Sequence, residues 1–161
     1  MKRSTEGTFG RLRLLGHSHD CAVCSLSPVK QPARHEIQSH VVLVVEDEIL
    51  VRGVVAEFLR GAGYTVIEAS NAAEAVTIFR TGRTIDLVFS DVGMPGPDRM
   101  DGVGLALWIS QHRPGVDVIL TSGMSHDEHA ECARAFLSKP YRLTEVIVRI
   151  SAILEDRQRA E

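Results

Sequence analysis

The sequence has little of what defines several large classes of protein. Its three cysteines are an odd number that cannot form a complete disulfide framework, and they fit a reducing cytoplasm. No apolar run approaches the roughly 20 residues that cross a membrane. The basic start, Lys2-Arg3, has no hydrophobic segment behind it, which argues against a secretory signal. Aromatic residues are only 5% of the chain and hydrophobic residues 44%, which is typical of an aliphatic α/β core.

Charge is distributed unevenly along the chain. Residues 1–40 carry six Lys and Arg against three Asp and Glu, whereas residues 41–161 carry twelve against eighteen. Contacts with nucleic acid need clustered Lys and Arg, so we do not expect the acidic part to bind nucleic acid directly. Residues 1–40 are rich in Gly, Ser, His and Pro and have no sustained helical or strand period, which predicts a disordered N-terminal extension.

Four residues within this extension have side chains that bind metals. His17, His19, Cys21 and Cys24 could supply four tetrahedral ligands to zinc. However, the spacing of roughly a dozen residues between the Cys and His pairs of zinc fingers is absent. The sequence leaves open whether these residues bind a metal.

From Val41 onward, short apolar runs alternate with helical patterns. We predict strands at 41–45, 64–68, 86–90, 116–120 and 135–138. Helices are predicted over about 47–60, from a cap at Ser70 or Asn71 to before Gly82, from an Asp101 cap to before Pro114, briefly after Ser125, and over 143–156. Five strand–helix units predict an α/β fold with a five-stranded doubly wound parallel sheet over residues 41–155, followed by a polar tail over 156–161.

Residues suited to phosphoryl chemistry follow four of these strands. Glu46 and Asp47 follow the first, Asp91 the third, Thr121 the fourth and Lys139 the fifth. Because the carboxyl ends of parallel strands meet at one edge of the sheet, we expect these side chains to lie together. Carboxylates there can bind Mg²⁺, and Asp91 can attack a phosphoryl group to form an acyl phosphate. Thr121 and Lys139 can contact the phosphoryl oxygens.

In order and spacing, these residues resemble the receiver domain of two-component response regulators. The matching segments are Glu46-Asp47, Asp91-Val92-Gly93-Met94-Pro95, Asp101-Gly102, Thr121-Ser122-Gly123 and Lys139-Pro140. The resemblance covers about residues 41–155 and implies a flavodoxin-like fold. It implies that Asp91 is the phosphoacceptor for a phosphohistidine on a sensor histidine kinase or a histidine phosphotransfer protein. It also implies Mg²⁺ or Mn²⁺ held by Glu46, Asp47, Asp91 and the backbone carbonyl of Gly93.

The resemblance assigns roles to residues around this set. Phe136 matches the aromatic residue that changes rotamer when Thr121 moves toward the phosphoryl group. The peptide bond before Pro140 is expected to be cis. Gly93 and Gly123 flank the path of the water that attacks the phosphoryl group. Since neither has a side chain, we predict a phosphoryl lifetime set mainly by solvent access.

Several functions remain open. We expect no output domain after the last helix and interpret the chain as a cytoplasmic single-domain response regulator, monomeric or homodimeric, that signals through a protein effector or a phosphorelay. One alternative is a phosphate sink or shuttle for a kinase, and another is an interaction module that works without phosphorylation. A phosphohydrolase needs a second Asp two residues after the nucleophile, where this sequence has Gly93. We therefore do not expect a turnover enzyme.

Overall fold

The computed structural model describes residues 40–94, 100–123 and 132–160. These residues form β1 Val41–Val45, α1 Ile49–Gly61, β2 Thr65–Ala69, α2 Ala72–Arg80, β3 Leu87–Asp91, α3 Gly102–His112, β4 Asp117–Ser122, β5 Ala135–Ser138 and α4 Leu143–Ala160. The predicted disordered extension, the possible zinc ligands and the short helix after Ser125 lie outside the described residues.

The five strands form one parallel sheet in the order β2-β1-β3-β4-β5. The chain leaves β1 toward one edge and then crosses to the other side of β1, so the strand order reverses between β1 and β3. Asp91 at the end of β3 is the register partner of Thr121 in β4, and Thr121 is in turn paired with Leu137 in β5. The predicted fold class is confirmed, and the reversal of strand order is where ligands bind in such sheets.

The helices cover both faces of the sheet, which explains why the strands are almost continuously apolar. Successive strand residues point to opposite faces, so Leu43 and Val45 belong to one core and Val42 and Val44 to the other. The first core includes α2 and α3 through Ala72, Ala75, Val76, Phe79, Leu105, Ala106 and Ile109. The second includes α1 and α4 through Val55, Leu59, Val146, Ile150, Ile153 and Leu154.

Helix ends agree with the sequence analysis in part. Asp101 is the N-cap of α3, where its carboxylate accepts a hydrogen bond of 2.7 Å from the backbone N–H of Gly104. Asn71, rather than Ser70, is the N-cap of α2. The first helix begins at Ile49, two residues later than predicted, because Glu46 and Asp47 belong to the loop that forms the edge of the sheet.

The last helix is longer than predicted. It continues to Ala160, four residues past the expected end at 156, so most of the predicted polar tail is helical. Arg159 forms ion pairs of 3.4 Å with Glu155 and 3.6 Å with Asp156, and Arg157 donates a hydrogen bond of 2.6 Å to the carbonyl of Gly115. These contacts extend a helix whose apolar stripe ends earlier. Within the described residues, no helix is both long and apolar enough to cross a membrane.

Candidate phosphoryl-transfer site

Three acidic side chains meet at the carboxyl ends of β1 and β3. One carboxylate oxygen from each of Glu46, Asp47 and Asp91 lies within 4.8 Å of those of the other two. The three residues differ in their surroundings, since Glu46 is buried, Asp91 is partly buried and Asp47 is exposed. The site is therefore anchored in the sheet on one side and open to solvent on the other.

Lys139 joins two of the three carboxylates. Its Nζ lies 3.0 Å from Oδ1 of Asp91 and 3.1 Å from Oε2 of Glu46. Burial alone would lower the pKa of Lys139, but hydrogen bonds and charge from Asp91 and Glu46 outweigh it and raise the pKa. The side chain is therefore an ammonium at neutral pH. Its backbone N–H donates to the carbonyl of Ser122 at 2.8 Å, and the Lys139–Pro140 peptide bond is cis.

Burial also acts on Glu46. It raises the pKa of this carboxyl, against an opposing contribution from the hydrogen bond with Lys139. Two of three carboxylates share one ammonium, so the ionised cluster keeps an excess of two negative charges. Mg²⁺ prefers carboxylate oxygens and water in its shell, and an oxygen cluster with this charge fits a divalent cation.

Thr121 and Phe136 occupy different environments. Thr121 is fully buried, and its hydroxyl lies 3.5 Å from Oδ1 of Asp91, at the outer limit for a hydrogen bond. Its carbonyl accepts a hydrogen bond of 2.9 Å from the N–H of Val92, which ties the residue after Asp91 to β4. Phe136 is partly buried in β5, opposite Leu120, and packs against the core that α2 and α3 cover. The structure thus brings Thr121 to the carboxylates, with Phe136 one register position away.

The two predicted lifetime residues follow Asp91 and Thr121 by two positions each. Gly93 and Gly123 are exposed. A Cβ on Gly93 would lie 3.7 Å from Oδ2 of Asp91, an ordinary van der Waals distance, and a Cβ on Gly123 would meet no described atom within 4 Å. Gly102 differs, because a Cβ there would collide with the carbonyl group of Asp91. Its N–H donates to the carbonyl of Val92 at 3.2 Å, so α3 begins directly against the backbone of the proposed phosphoacceptor.

The sequence analysis missed two features of the site. The first is Arg52, which donates a hydrogen bond of 2.6 Å to the backbone carbonyl of Glu46. The second is a groove of about 430 Å³ along α1, which Lys139 also lines. Its apolar lining includes Leu50, Val51, Val54, Pro140, Tyr141 and Leu143. Leu50 is 73% exposed and Val54 57%, a signal that a search for solvent-facing apolar residues on the predicted helix could have found.

Residues 42–151 match the response regulator receiver domain family, and the chain belongs to this family. Over 123 residues it is 37% identical to the sensor kinase CckA of Brucella abortus, and this alignment covers 73% of this chain and 13% of that protein. Over 111 residues it is 39% identical to the transcriptional regulatory protein PdtaR of Mycobacterium tuberculosis, covering 66% of this chain and 52% of that protein. The chain therefore spans about half or less of the length of these relatives.

Solved structures give the same assignment. The signal receiver domain of a signal transduction histidine kinase from Syntrophus aciditrophicus is 29% identical, with a TM-score of 0.66, over 76% of this chain and 95% of that one. The response regulator TrrA of Thermotoga maritima, solved in complex with Mg²⁺ and BeF, is 28% identical, with a TM-score of 0.63, over 70% of this chain and 97% of that one. A CheY-like receiver domain from Methanospirillum hungatei, 22% identical with a TM-score of 0.69 over 76% of this chain and 98% of that one, has the same fold.

The predicted resemblance is thus confirmed. The family is that of the receiver domains that take the phosphoacceptor role in two-component signalling.

Proposed function

We propose that Asp91 accepts a phosphoryl group from a phosphohistidine in a reaction that depends on Mg²⁺ or Mn²⁺. The observation that carries the proposal is the bridge from Lys139 to both Asp91 and Glu46 inside the acidic cluster. A partly buried ammonium on the carboxylate of Asp91 lies where a phosphoryl oxygen needs a positive charge. The Mg²⁺ and BeF bound by TrrA support the same reading.

The side chains present divide the reaction among them. The Asp91 carboxylate attacks phosphorus and forms the new P–O bond while the P–N bond to the partner's imidazole breaks, and the imidazole leaves with that electron pair and takes up a proton. Lys139 and the Thr121 hydroxyl donate hydrogen bonds to the phosphoryl oxygens. The carboxylates of Glu46, Asp47 and Asp91, with the Gly93 carbonyl, would hold the metal ion. When bound, it offsets the negative charge of carboxylate and phosphoryl group.

The product of this chemistry stays on the protein, so the chain is not a turnover enzyme in this proposal. The phosphorylated form passes its signal to a protein effector or its phosphoryl group to another histidine. A sink or shuttle for a kinase is the alternative, and competition decides between them. In a mixture with the kinase and a second receiver, a sink lowers phosphorylation of that receiver, whereas a switch binds its effector only when phosphorylated.

Intact mass spectrometry tests the acceptor. The wild type, Asp91→Asn and Asp117→Asn are incubated with a small phosphodonor, with and without Mg²⁺. Asp117 is a matched control because it begins β4 at the opposite edge of the sheet. We expect one phosphoryl group on the wild type and on Asp117→Asn only with Mg²⁺, and none on Asp91→Asn. A phosphoryl group on Asp91→Asn would refute the assignment, as would no modification of the wild type by either the small donor or a cognate kinase.

We also propose that the phosphohistidine-bearing partner docks in the groove along α1. The phosphoryl group must arrive from the open side of the cluster, and the groove adjoins the cluster because Lys139, which contacts Asp91, is one of its lining residues. The exposed side chains of Ile49, Leu50 and Val54 provide an apolar surface that continues away from the site. Contiguous exposed apolar patches are typical of protein–protein interaction sites.

Comparing phosphotransfer from the kinase with labelling by the small phosphodonor separates an effect on docking from an effect on the chemistry. We expect Leu50→Ser and Val54→Ser to slow transfer from the kinase while labelling by the small phosphodonor stays unchanged. Leu107→Ser is the matched control, because Leu107 is 48% exposed on α3, on the other face of the sheet. Equal effects of all three variants on the kinase reaction would contradict docking along α1.

A further inference from the structure

Arg52 lies in the first turns of α1, and its side chain reaches back to the loop that carries the acidic pair. Its Nη1 lies 2.6 Å from the backbone carbonyl oxygen of Glu46 and 3.4 Å from that of Asp47. The side chain is only 14% exposed. One guanidinium therefore contacts the main chain of two proposed metal-binding residues without touching their carboxylates.

The guanidinium is anchored on its other side by β2. Its Nε lies 3.5 Å from Oε2 of Glu68, and Glu68 is the register partner of Val44 in β1. The backbone N–H of Glu46 donates to the carbonyl of Ala69 at 3.2 Å. β2 therefore restrains this loop directly through Ala69 as well as through the contact of Glu68 with Arg52. A planar fork with several donors in fixed directions can hold a carboxylate and carbonyls together, which a lysine ammonium cannot do in the same way.

The loop needs such a restraint because of its own charges. Glu46, Asp47 and Asp91 repel one another when ionised, and the repulsion favours turning the exposed Asp47 outward to solvent. A hydrogen bond to the backbone of Glu46 and Asp47 resists that turn. Since it leaves the carboxylate oxygens uncovered, it does so without competing for the atoms that would bind a cation.

We propose that Arg52 is a positioning residue, which holds the main chain of Glu46 and Asp47 so that both carboxylates face Asp91 and a divalent cation finds its ligands already arranged. This inference rests on the proposed function, because it concerns the same cation. Residues that orient metal ligands are typically worth roughly 10- to 100-fold in metal affinity.

The sign of the effect distinguishes positioning from charge. Removing a guanidinium near an acidic cluster reduces the repulsion of a cation, so charge alone predicts tighter Mg²⁺ binding by Arg52→Met. Loss of positioning predicts weaker binding. If Arg52 only joined α1 to β2, Arg52→Met would lower the stability of the protein and leave its Mg²⁺ affinity unchanged.

Titration calorimetry with Mg²⁺ on the unphosphorylated protein, beside urea unfolding, makes the test. We expect Arg52→Met to weaken Mg²⁺ binding about tenfold. Arg52→Lys is expected to weaken it less, because a lysine can still donate to one carbonyl. Arg60→Met is the matched control, since Arg60 is on the same helix and binds the other oxygen of Glu68 at 2.8 Å without contacting the loop. Its Mg²⁺ affinity should equal that of the wild type.

A second reading comes from phosphorylation rates across Mg²⁺ concentrations. Arg52→Met should need about tenfold more Mg²⁺ for half-maximal rate and then approach the wild-type rate. Unchanged or tighter Mg²⁺ binding by folded Arg52→Met overturns the inference. If that variant does not fold, Arg52→Lys and Glu68→Gln carry the test, with weaker binding expected from both. Absence of Mg²⁺ binding by the wild type would instead count against the proposed function itself.

Discussion

Lys139→Met should make the stability of this protein depend on Mg²⁺ far more strongly than that of the wild type. The ammonium of Lys139 is 3.0 Å from Asp91 and 3.1 Å from Glu46. Without a divalent cation, it offsets part of the charge of these carboxylates. Methionine has similar length and no charge, so the substitution removes the charge while filling much of the space.

The size of the effect follows from this geometry. At 3.0 Å and an effective dielectric constant of about 20, each pair is worth about 5 kcal/mol of Coulomb attraction. Desolvation of the ammonium opposes it, and solvent screens the pair because the Lys139 side chain is 31% exposed. A value between those of exposed and buried pairs, about 2 kcal/mol, is the expected loss of unfolding free energy without Mg²⁺. For a domain of this size the midpoint of thermal unfolding should fall by about 8 °C.

Saturating Mg²⁺ should recover most of that loss, because the cation supplies the charge that lysine no longer does. By linkage, the variant should bind Mg²⁺ about 30-fold more tightly than the wild type. Urea unfolding with and without Mg²⁺ measures both quantities. Arg134→Met is the control, since Arg134 pairs with Asp156 at 3.7 Å away from the cluster. An equal loss with and without Mg²⁺, or weaker Mg²⁺ binding by Lys139→Met, would refute the reasoning.

Other substitutions test the surroundings of the site. Gly93→Leu and Gly123→Leu should lengthen the half-life of the phosphorylated protein, because we expect a side chain at either exposed position to shield Asp91 from water. The half-life is measured by the loss of phosphoryl mass. Unchanged half-lives in both variants would contradict the prediction. Gly102→Ala should lower the free energy of unfolding by about 2 kcal/mol in urea, because its Cβ collides with the Asp91 carbonyl; wild-type stability would contradict this. Glu74→Gln should lower the free energy of unfolding by less than about 1 kcal/mol at pH 7. Hydrogen bonds from Ser70 lower the pKa of Glu74 in the folded protein, so its charge stabilises above its ordinary pKa of 4.5. That contribution disappears as the pH falls through the lowered pKa that Glu74 has in the folded protein. A difference in unfolding free energy between Glu74→Gln and the wild type that does not depend on pH would contradict the prediction.

The sheet and the cluster were predictable because they depend on chain-local patterns. Apolar runs of strand length alternate with helical patterns, and parallel strands bring their carboxyl ends to one edge whatever the loops do. Glu46, Asp91 and Lys139 therefore meet as expected, although 93 residues separate the first from the last. The cap at Asp101 was equally readable, since it depends on a side chain and a backbone group three residues away.

Features that depend on backbone acceptors or on solvent exposure were not predictable in the same way. Arg52 reads in the sequence as an ordinary polar position of an amphipathic helix, and nothing in its spacing indicates that its partner is the carbonyl of Glu46. The extension of α4 to Ala160 depends on an arginine that reaches Gly115, 42 residues earlier. Both contacts require the folded sheet before they can form.

The two basic residues at the cluster have different tasks because they contact different atoms. Lys139 touches the carboxylate oxygens, so it competes with a cation and must give way when a phosphoryl group arrives. Arg52 touches carbonyl oxygens, so it can remain in place throughout. Their substitutions should therefore shift Mg²⁺ affinity in opposite directions, tighter for Lys139→Met and weaker for Arg52→Met. Because Lys139 and Arg52 both contact Glu46, one at its carboxylate and the other at its backbone carbonyl, the double variant should depart from the sum of the two single effects.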